Sequence, residues 1–539
     1  LPALKGRRLM WWRHLAVALA VAGAVTACRG GGAGAGGQGG TVTVGLRNDF
    51  QPVNPITAGD QYTVELINYG LFTPLVQYDK DLNIRPYLAE QWQMTDTAVT
   101  FKLRRDVKWH DGQPVTAEDV KFTFDMAKDP ASASLIGSAY LPNVKSAEVV
   151  DSYTVHFTFV RPHAQALEDF WWAPAPRHLL QNVSAQDMRN APFNRQPVGS
   201  GPFKFAQWQA SQRMVIERNA NFPAALGGPP KLDRLVLRVI PEPSTMLSEL
   251  ISGGVQVDLS VPPDQVSQLK KSSQVNFMAY PGKTVYYIGW NNRRAPFTSS
   301  AVRRALAMAV NRDEIINSLL FGQGSPANST VPPWHPLYAK GVQPLAYDPA
   351  GAGRLLDSLG WKDTNGDGMR EKAGRPFRFT LLTSDNPLNR SVAEVLQSQF
   401  KKVGVDAQIR VLEFQTLLAQ HKGRDFDAVF TSWVLDNFQM ASAPEALLHS
   451  KLANVPNSTN RSSVSIPELD RLINQASSTT DLNTARPIWQ QITEVLQREQ
   501  PVTFVYWLNE LTAARKQVAG VTMDPRGDLL SIPQWSLAR

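Results

Sequence analysis

Cysteine is almost missing: Cys28 is the single one in 539 residues. No internal disulfide is available, and neither is a zinc site built on cysteine pairs. The eight histidines lie at 14, 110, 156, 163, 178, 335, 421 and 449, and no two stand four apart, the spacing that sets two imidazoles on one helix face. No metal and no cofactor is expected. Excess charge of one sign is also scarce. Lys and Arg number 55 against 47 Asp and Glu, but Lys5, Arg7, Arg8 and Arg13 stand in a leading stretch without acids, which leaves 51 against 47 from Cys28 onward. There is no basic block comparable to a nucleic-acid arm, so nucleic acid is not expected as a partner. Long apolar runs are lacking too. Residues 15–25, LAVALAVAGAV, form a run of 11, whereas a bilayer-spanning helix needs about 20.

Catalytic signatures fail on inspection. Gly282-Lys283-Thr284 resembles the end of a phosphate loop, but the glycine required five positions earlier is Phe277. Asp363-Thr364-Asn365-Gly366-Asp367-Gly368 starts like a calcium loop, yet Gly374 stands where a bidentate Glu is needed, so a polar turn is expected instead. Ser267-x-x-Lys270 and Ser384-Asp385-Asn386 echo two boxes of penicillin-recognising enzymes without the third. Neither Gly-x-Ser-x-Gly nor His-Glu-x-x-His occurs.

What is present begins with an address. A basic stretch at 5–14, the apolar run and small residues ending in Val25-Thr26-Ala27-Cys28 make a secretory signal over 1–27. Its last four residues resemble a bacterial lipobox, whose cysteine is lipidated and becomes the new N-terminus. Residues 29–40 hold eight Gly in twelve positions and read, with Cys28, as a flexible tether.

The remainder has ordinary globular composition, 43% hydrophobic and 19% charged, and a length for about two to four units. Period-two patterns predict strands at 41–45, 98–104, 153–159 and 232–240. Thr116 and Asp119 have capping-box spacing at the start of a helix. Beyond about 290 the pattern becomes helix and strand in alternation. Ser299 or Ser300 caps a stripe of Val302, Ala305, Leu306, Ala309 and Val310. Asp348-Pro349 opens a helix that stops at Gly360. Strand 377–382, helix 391–403 and strand 405–411 imply a parallel pair, and 415–421 and 427–433 a further helix and strand. The fold class is α/β.

A series of phrases runs through this body in order: Leu88-Ala89-Glu90-Gln91-Trp92, Val107-Lys108-Trp109-His110-Asp111-Gly112, Val198-Gly199-Ser200-Gly201-Pro202-Phe203, Val302-Arg303-Arg304-Ala305-Leu306, Tyr347-Asp348-Pro349 and Pro467-Glu468-Leu469-Asp470 among them. Over about 41–539 the chain resembles the family-5 bacterial extracellular solute-binding proteins. It departs from them at Asn311, where Asp is usual, and at Gly351 and Gly353, which are expected to loosen their helix. Gly199 and Gly201 are expected to flank a turn that strains other residues.

The resemblance implies a two-lobed periplasmic-binding-protein type II fold. Lobe one spans 41–285 with an inserted subdomain at about 76–196, lobe two spans 286–504, and 505–539 returns to lobe one. It implies a monomeric peptide receptor without enzymatic activity, exported, anchored to the cell membrane through lipid on Cys28, and serving the permease subunits of an ABC importer. A sugar, opine or metal-complex binder on the same scaffold stays open, as does an extracellular hydrolase. In relatives a carboxylate after a Trp pairs with the peptide's α-ammonium. That position is Asp436 in Ser432-Trp433-Val434-Leu435-Asp436, equally open to a loop-capping role. Trp433 and Trp290 are candidate cleft walls or core residues. Cys28→Ala is expected to shift the protein from the membrane to the soluble fraction or leave its leader uncut. A wild-type protein that fractionates as soluble, with its mature N-terminus elsewhere, contradicts the anchor.

Overall fold

The computed structural model describes residues 39–162, 166–435, 442–456, 458–479 and 481–538. The leader, Cys28, most of the Gly-rich tether and Asp436 lie outside these residues.

An eleven-stranded mixed sheet runs through the chain. At one end, strand Thr41–Leu46 pairs in parallel with Arg234–Val239 and Val257–Asp258, and two antiparallel strands, Arg213–Arg218 and Phe203–Gln209, complete that edge. At the other end Arg378–Ser384 lies parallel between Asp406–Leu412 and Ala428–Val434, the strand–helix–strand unit expected from 377–411. Two long antiparallel strands join the ends, Val275–Trp290 of 16 residues and Val502–Arg515 of 14. Their register breaks between Pro281 and Thr284, which leaves Gly282 and Lys283 in a bulge. A proline inside such a strand is tolerated at a bulge, where no ladder donor is needed.

The apolar residues fall into separate cores. The first takes side chains from 42–259 and again from 514–535. It includes the small sheet of Ala89–Thr95, Ala98–Leu103, Thr154–Phe159 and Val144–Asp151. Alternation turns Val99, Phe101 and Leu103 inward opposite Val155, Phe157 and Phe159. Phe170 sits with its ring centroid 4.8 Å from those of both Phe101 and Phe157. Each such buried ring contributes about 1.5–3 kcal/mol. Two further cores occupy 285–507, and in one of them helix Ser300–Met308 buries the expected stripe.

Two local expectations need correcting, the start of one helix and the effect of Gly351 on another. The helix placed at 391–403 begins at Pro387, because Asn386 caps it through the backbone N–H groups of Leu388 and Asn389. Thus the Ser384-Asp385-Asn386 string is a strand end running into a cap. Asn311 likewise caps helix Arg312–Ser318 by accepting from Glu314 N at 3.0 Å, a task Asn performs as well as Asp. Gly351 does not loosen its helix. Its N–H donates to Asp348 Oδ1 at 2.7 Å, and a Cβ there would meet that carboxylate at 2.0 Å.

Gly199 and Gly201 are needed for close approach, since neither has a positive φ. The backbone N–H groups of Ser200 and Gly201 both donate to Leu71 O, at 2.9 and 2.8 Å, and a Cβ on Gly201 would lie 2.6 Å from Gly70 O and Leu71 C. The half-buried ring of His110, its pKa pushed down to about 4 by desolvation, accepts from Gly199 N and bridges to Gly201 O. Gly201→Ala is expected to cost about 1–3 kcal/mol, because backbone atoms cannot yield as a side chain would. A chemical-denaturation midpoint equal to that of the wild type would refute the close approach.

Candidate functional site

Where the long strands leave the first core, helix Gln61–Glu65 and the segment 524–531 close on them and bury a polar cluster. Asp60 caps the short helix through Thr63 N, which turns Glu65 toward the C-terminal segment. Glu65 Oε2 accepts from the backbone N–H groups of Asp528 and Leu529, at 2.7 and 3.0 Å, and Oε1 from Gln61 Nε2 at 2.9 Å. Gly527 permits this, for a Cβ there would sit 2.6 Å from the Glu65 carboxyl carbon at a φ of 149°. Tyr280 donates from its hydroxyl to Asp528 Oδ1 at 2.9 Å. Asp528 Oδ2 is buried with no hydrogen-bond partner among the described residues.

The bulge supplies the cation. Lys283 is 7% exposed, its carbonyl accepts from Leu435 N, and Gly282 O accepts from Trp334 Nε1 at 3.1 Å. A Cβ on Gly282 would meet Leu508 O at 2.5 Å and Glu510 Oε1 at 2.8 Å, so glycine lets Glu510 lie against the bulge. Glu510 faces Tyr280 across the ladder and keeps some exposure to solvent. On the other flank the Tyr62 hydroxyl meets Ser260 Oγ at 2.9 Å, and Arg47 reaches Ser260 O and Asp258.

Electrostatics follow from burial. Desolvation pushes the Asp528 carboxyl well up, with Glu65 and then Glu510 adding to the shift. Burial also raises Glu65 and Glu510, against the pull of the Lys283 ammonium. The phenols of Tyr62 and Tyr280 are driven up by burial and by the same acids, so they remain donors.

The structure separates the residues expected from sequence. Asp436 and Cys28 lie outside the described residues. Trp433 is half-buried near the end of strand Ala428–Val434, opposite Val285, and packs on a core of the second half. Trp290 belongs to the interior rather than to a cleft wall. It is fully buried, stacks on Phe297 at 5.0 Å and donates to Thr503 Oγ1 at 3.0 Å, which leaves the indole nothing to offer a ligand. Glu65, Glu510 and Asp528 were not singled out by motif, since Glu65 and Asp528 stand 463 positions apart, and Lys283 entered only through the failed phosphate-loop string. The signal available was acids set inside apolar strings, as in TVELINYG and VYWLNELTAA.

The folded chain keeps a proton on Asp528 where the unfolded chain has lost it, so stability declines as pH climbs from the ordinary carboxylate range toward the raised value. Asp528→Asn, which retains an acceptor for Tyr280, should flatten that decline in urea midpoints taken between about pH 5 and about pH 8. A variant that declines as steeply as the wild type would mean that Asp528 is ionised in the folded chain.

Comparison with known proteins places this architecture. Residues 83–454 match the model of "Bacterial extracellular solute-binding proteins, family 5 Middle". The chain is 30% identical over 514 residues to the oligopeptide-binding protein AppA of Bacillus subtilis, covering 93% of this chain and 92% of that one. It is 30% identical over 505 residues to the dipeptide-binding protein of Escherichia coli, covering 87% and 89%. The structure of the Bacillus subtilis AppA in complex with a nonapeptide superposes with a TM-score of 0.77 at 30% identity, over 93% of this chain and all of that one. The mixed sheet with its two long joining strands is thus the scaffold of a solute receptor, and the chain belongs to family 5 of the bacterial extracellular solute-binding proteins.

Proposed function

We propose that this protein is the peptide-capturing component of an ABC importer. The observation that carries the reading is the 30% identity to an oligopeptide-binding protein over 93% of the chain. The core of 42–259 with 514–535 and the cores within 285–507 are read as two lobes, with the four-stranded sheet as the insertion in the first. A peptide enters between them, hydrogen-bonds through its main chain as an added strand, and stabilises a closed arrangement that the permease recognises. Lipid on Cys28 holds the receptor at the outer face of the cell membrane, and the Gly-rich segment gives it reach. The peptide is carried unchanged. Trp433 contributes to the cleft wall, and Asp436 receives the α-ammonium.

Calorimetry with free and N-acetylated peptides tests this directly. Losing a carboxylate partner in a closed cleft costs roughly 2–5 kcal/mol, so Asp436→Asn should weaken free peptide by about 30-fold or more. Acetylated peptide should bind the wild type poorly, and the variant should discriminate less between the two forms. Equal binding of free and acetylated peptides by both proteins would make Asp436 a loop residue only. A wild type that binds no peptide, or returns it cleaved in mass spectrometry, would overturn the proposed function.

A further inference from the structure

A small cavity in the second half of the chain plays no part in the polar junction. Tyr287 and Phe504 line it from the two long strands, and His421 from near the end of helix Phe414–Lys422. Leu447, Arg461 and Ser462 close it from the segment that follows. Its volume is about 10 Å³, room for one particle of about the size of water. The walls are preset. Gly289 lets Ser462 approach its strand, since a Cβ there would lie 3.0 Å from Ser462 Oγ. Asn460 fixes the adjoining loop by donating to His449 O and Val464 O and accepting from Val464 N. The lining offers donors and lacks an acid. Among the described residues no carboxylate lines the cavity and none pairs with Arg461. Arg461 Nε is buried without a hydrogen-bond partner, and so is Nε2 of His421, a side chain in a residue only 3% exposed. The buried arginines of the same half behave otherwise. Arg303 donates to Phe297 O, Glu499 O and Gln500 O, and Arg312 to Leu345 O and Phe504 O.

We infer that this cavity is a binding site for one small monovalent anion of the size of chloride, held by the guanidinium of Arg461 among the side chains of Tyr287, His421 and Ser462. An arginine nitrogen can only donate, so the partner it lacks is an acceptor. A water would meet that need but leave the guanidinium's charge uncompensated, whereas an anion supplies both the acceptor and the counter-charge. The local field has the matching sign. Burial, then Arg461 and then Arg424 push the His421 pKa down to about 3, so the ring is neutral and the two guanidinium charges stand unopposed by it. A neutral imidazole with its proton on Nε2 is one more donor. The small volume excludes sulfate, phosphate and any organic acid, and the apolar sides of Leu447 and Phe504 suit an ion that sheds its water readily. Arg461 keeps some exposure, which gives the ion a way in. Bound there, the anion would tie the 459–462 loop to both long strands. The inference goes beyond the peptide reading and does not depend on it.

Bromide serves as the probe. Anomalous diffraction from crystals of the purified protein soaked in sodium bromide should place one bromide in the cavity beside Arg461. In solution, thermal unfolding is compared in sodium chloride and in sodium gluconate at equal ionic strength, gluconate being too large to enter. The wild type should unfold about 1–3 °C higher in chloride. Arg461→Gln, which keeps hydrogen-bond donors and removes the charge, should lose both the bromide peak and the difference between the salts. Arg461→Lys, which restores the charge, should recover part of that difference. The wild-type measurements stand whether or not the variants fold. A water in the cavity of bromide-soaked wild-type crystals, or equal unfolding midpoints in the two salts, overturns the site. So does a bromide peak that persists in Arg461→Gln. A peak without any chloride effect in solution is binding at crystal concentration only, and overturns it as well. Neither measurement reads peptide affinity, so the proposed function stands or falls on its own test.

Discussion

A carboxyl taken out of water must be hydrogen-bonded, paired or protonated, and this fold buries two, Glu65 and Asp528, beside the half-buried Glu510 where its long strands pass from one core to another. Much local structure follows from meeting that demand. Glu65 is satisfied by the backbone N–H groups of Asp528 and Leu529, which ties the chain's last segment to its first helix. Asp528 is half satisfied by Tyr280 on a strand that continues into the second half. The bulge at Gly282 and Lys283 interrupts the ladder and in return delivers an ammonium to the same place. Removing a partner would leave a buried polar group unsatisfied, and that is costlier than the net worth of the bond.

The elements themselves were largely legible. Strands with clean alternation, such as 98–103 and 154–159, form where the period-two pattern places them, because one face of each must bury Phe101 or Phe157. Caps with a physical signature also read correctly: Asp119 accepts from Thr116 N at 2.9 Å, and Asp348 holds the start of its helix. Errors came where one residue type serves two ends. Asn386 was set aside with a chance enzyme-like string and missed as the cap that starts its helix at Pro387, and Gly351 looked like a weak point and makes room for a carboxylate. Trp290 shows the same ambiguity in an aromatic, since indole suits a cleft wall and a core equally and only its stacking on Phe297 decides.

The polar junction was not legible, for a reason that is geometric rather than statistical. Its members come from a short helix, two strands and a terminal segment, and nothing in local spacing links position 65 to 528. What brings them together is the return of the chain's end to its first core, a topological fact that periodicity does not carry. Family likeness conveys the scaffold with its long joining strands, but not which side chains those strands bring together.

The junction bears on closure, should the two halves move as lobes do. A ligand shifts an equilibrium between open and closed forms only by the difference in its affinity for them. Main-chain hydrogen bonds to one strand contribute similarly in both forms. Contacts that reach residues from both ends of the long strands contribute chiefly when the ends approach. The junction holds such residues: Glu65 and Asp528 adjoin Leu66 and Leu529 of the first core, while the bulge carbonyl of Lys283 receives the N–H of Leu435, which belongs to a core of the second half. Groups that meet from both ends of the long strands are therefore where a ligand's differential affinity would arise, whereas contacts confined to one core add the same free energy to both forms.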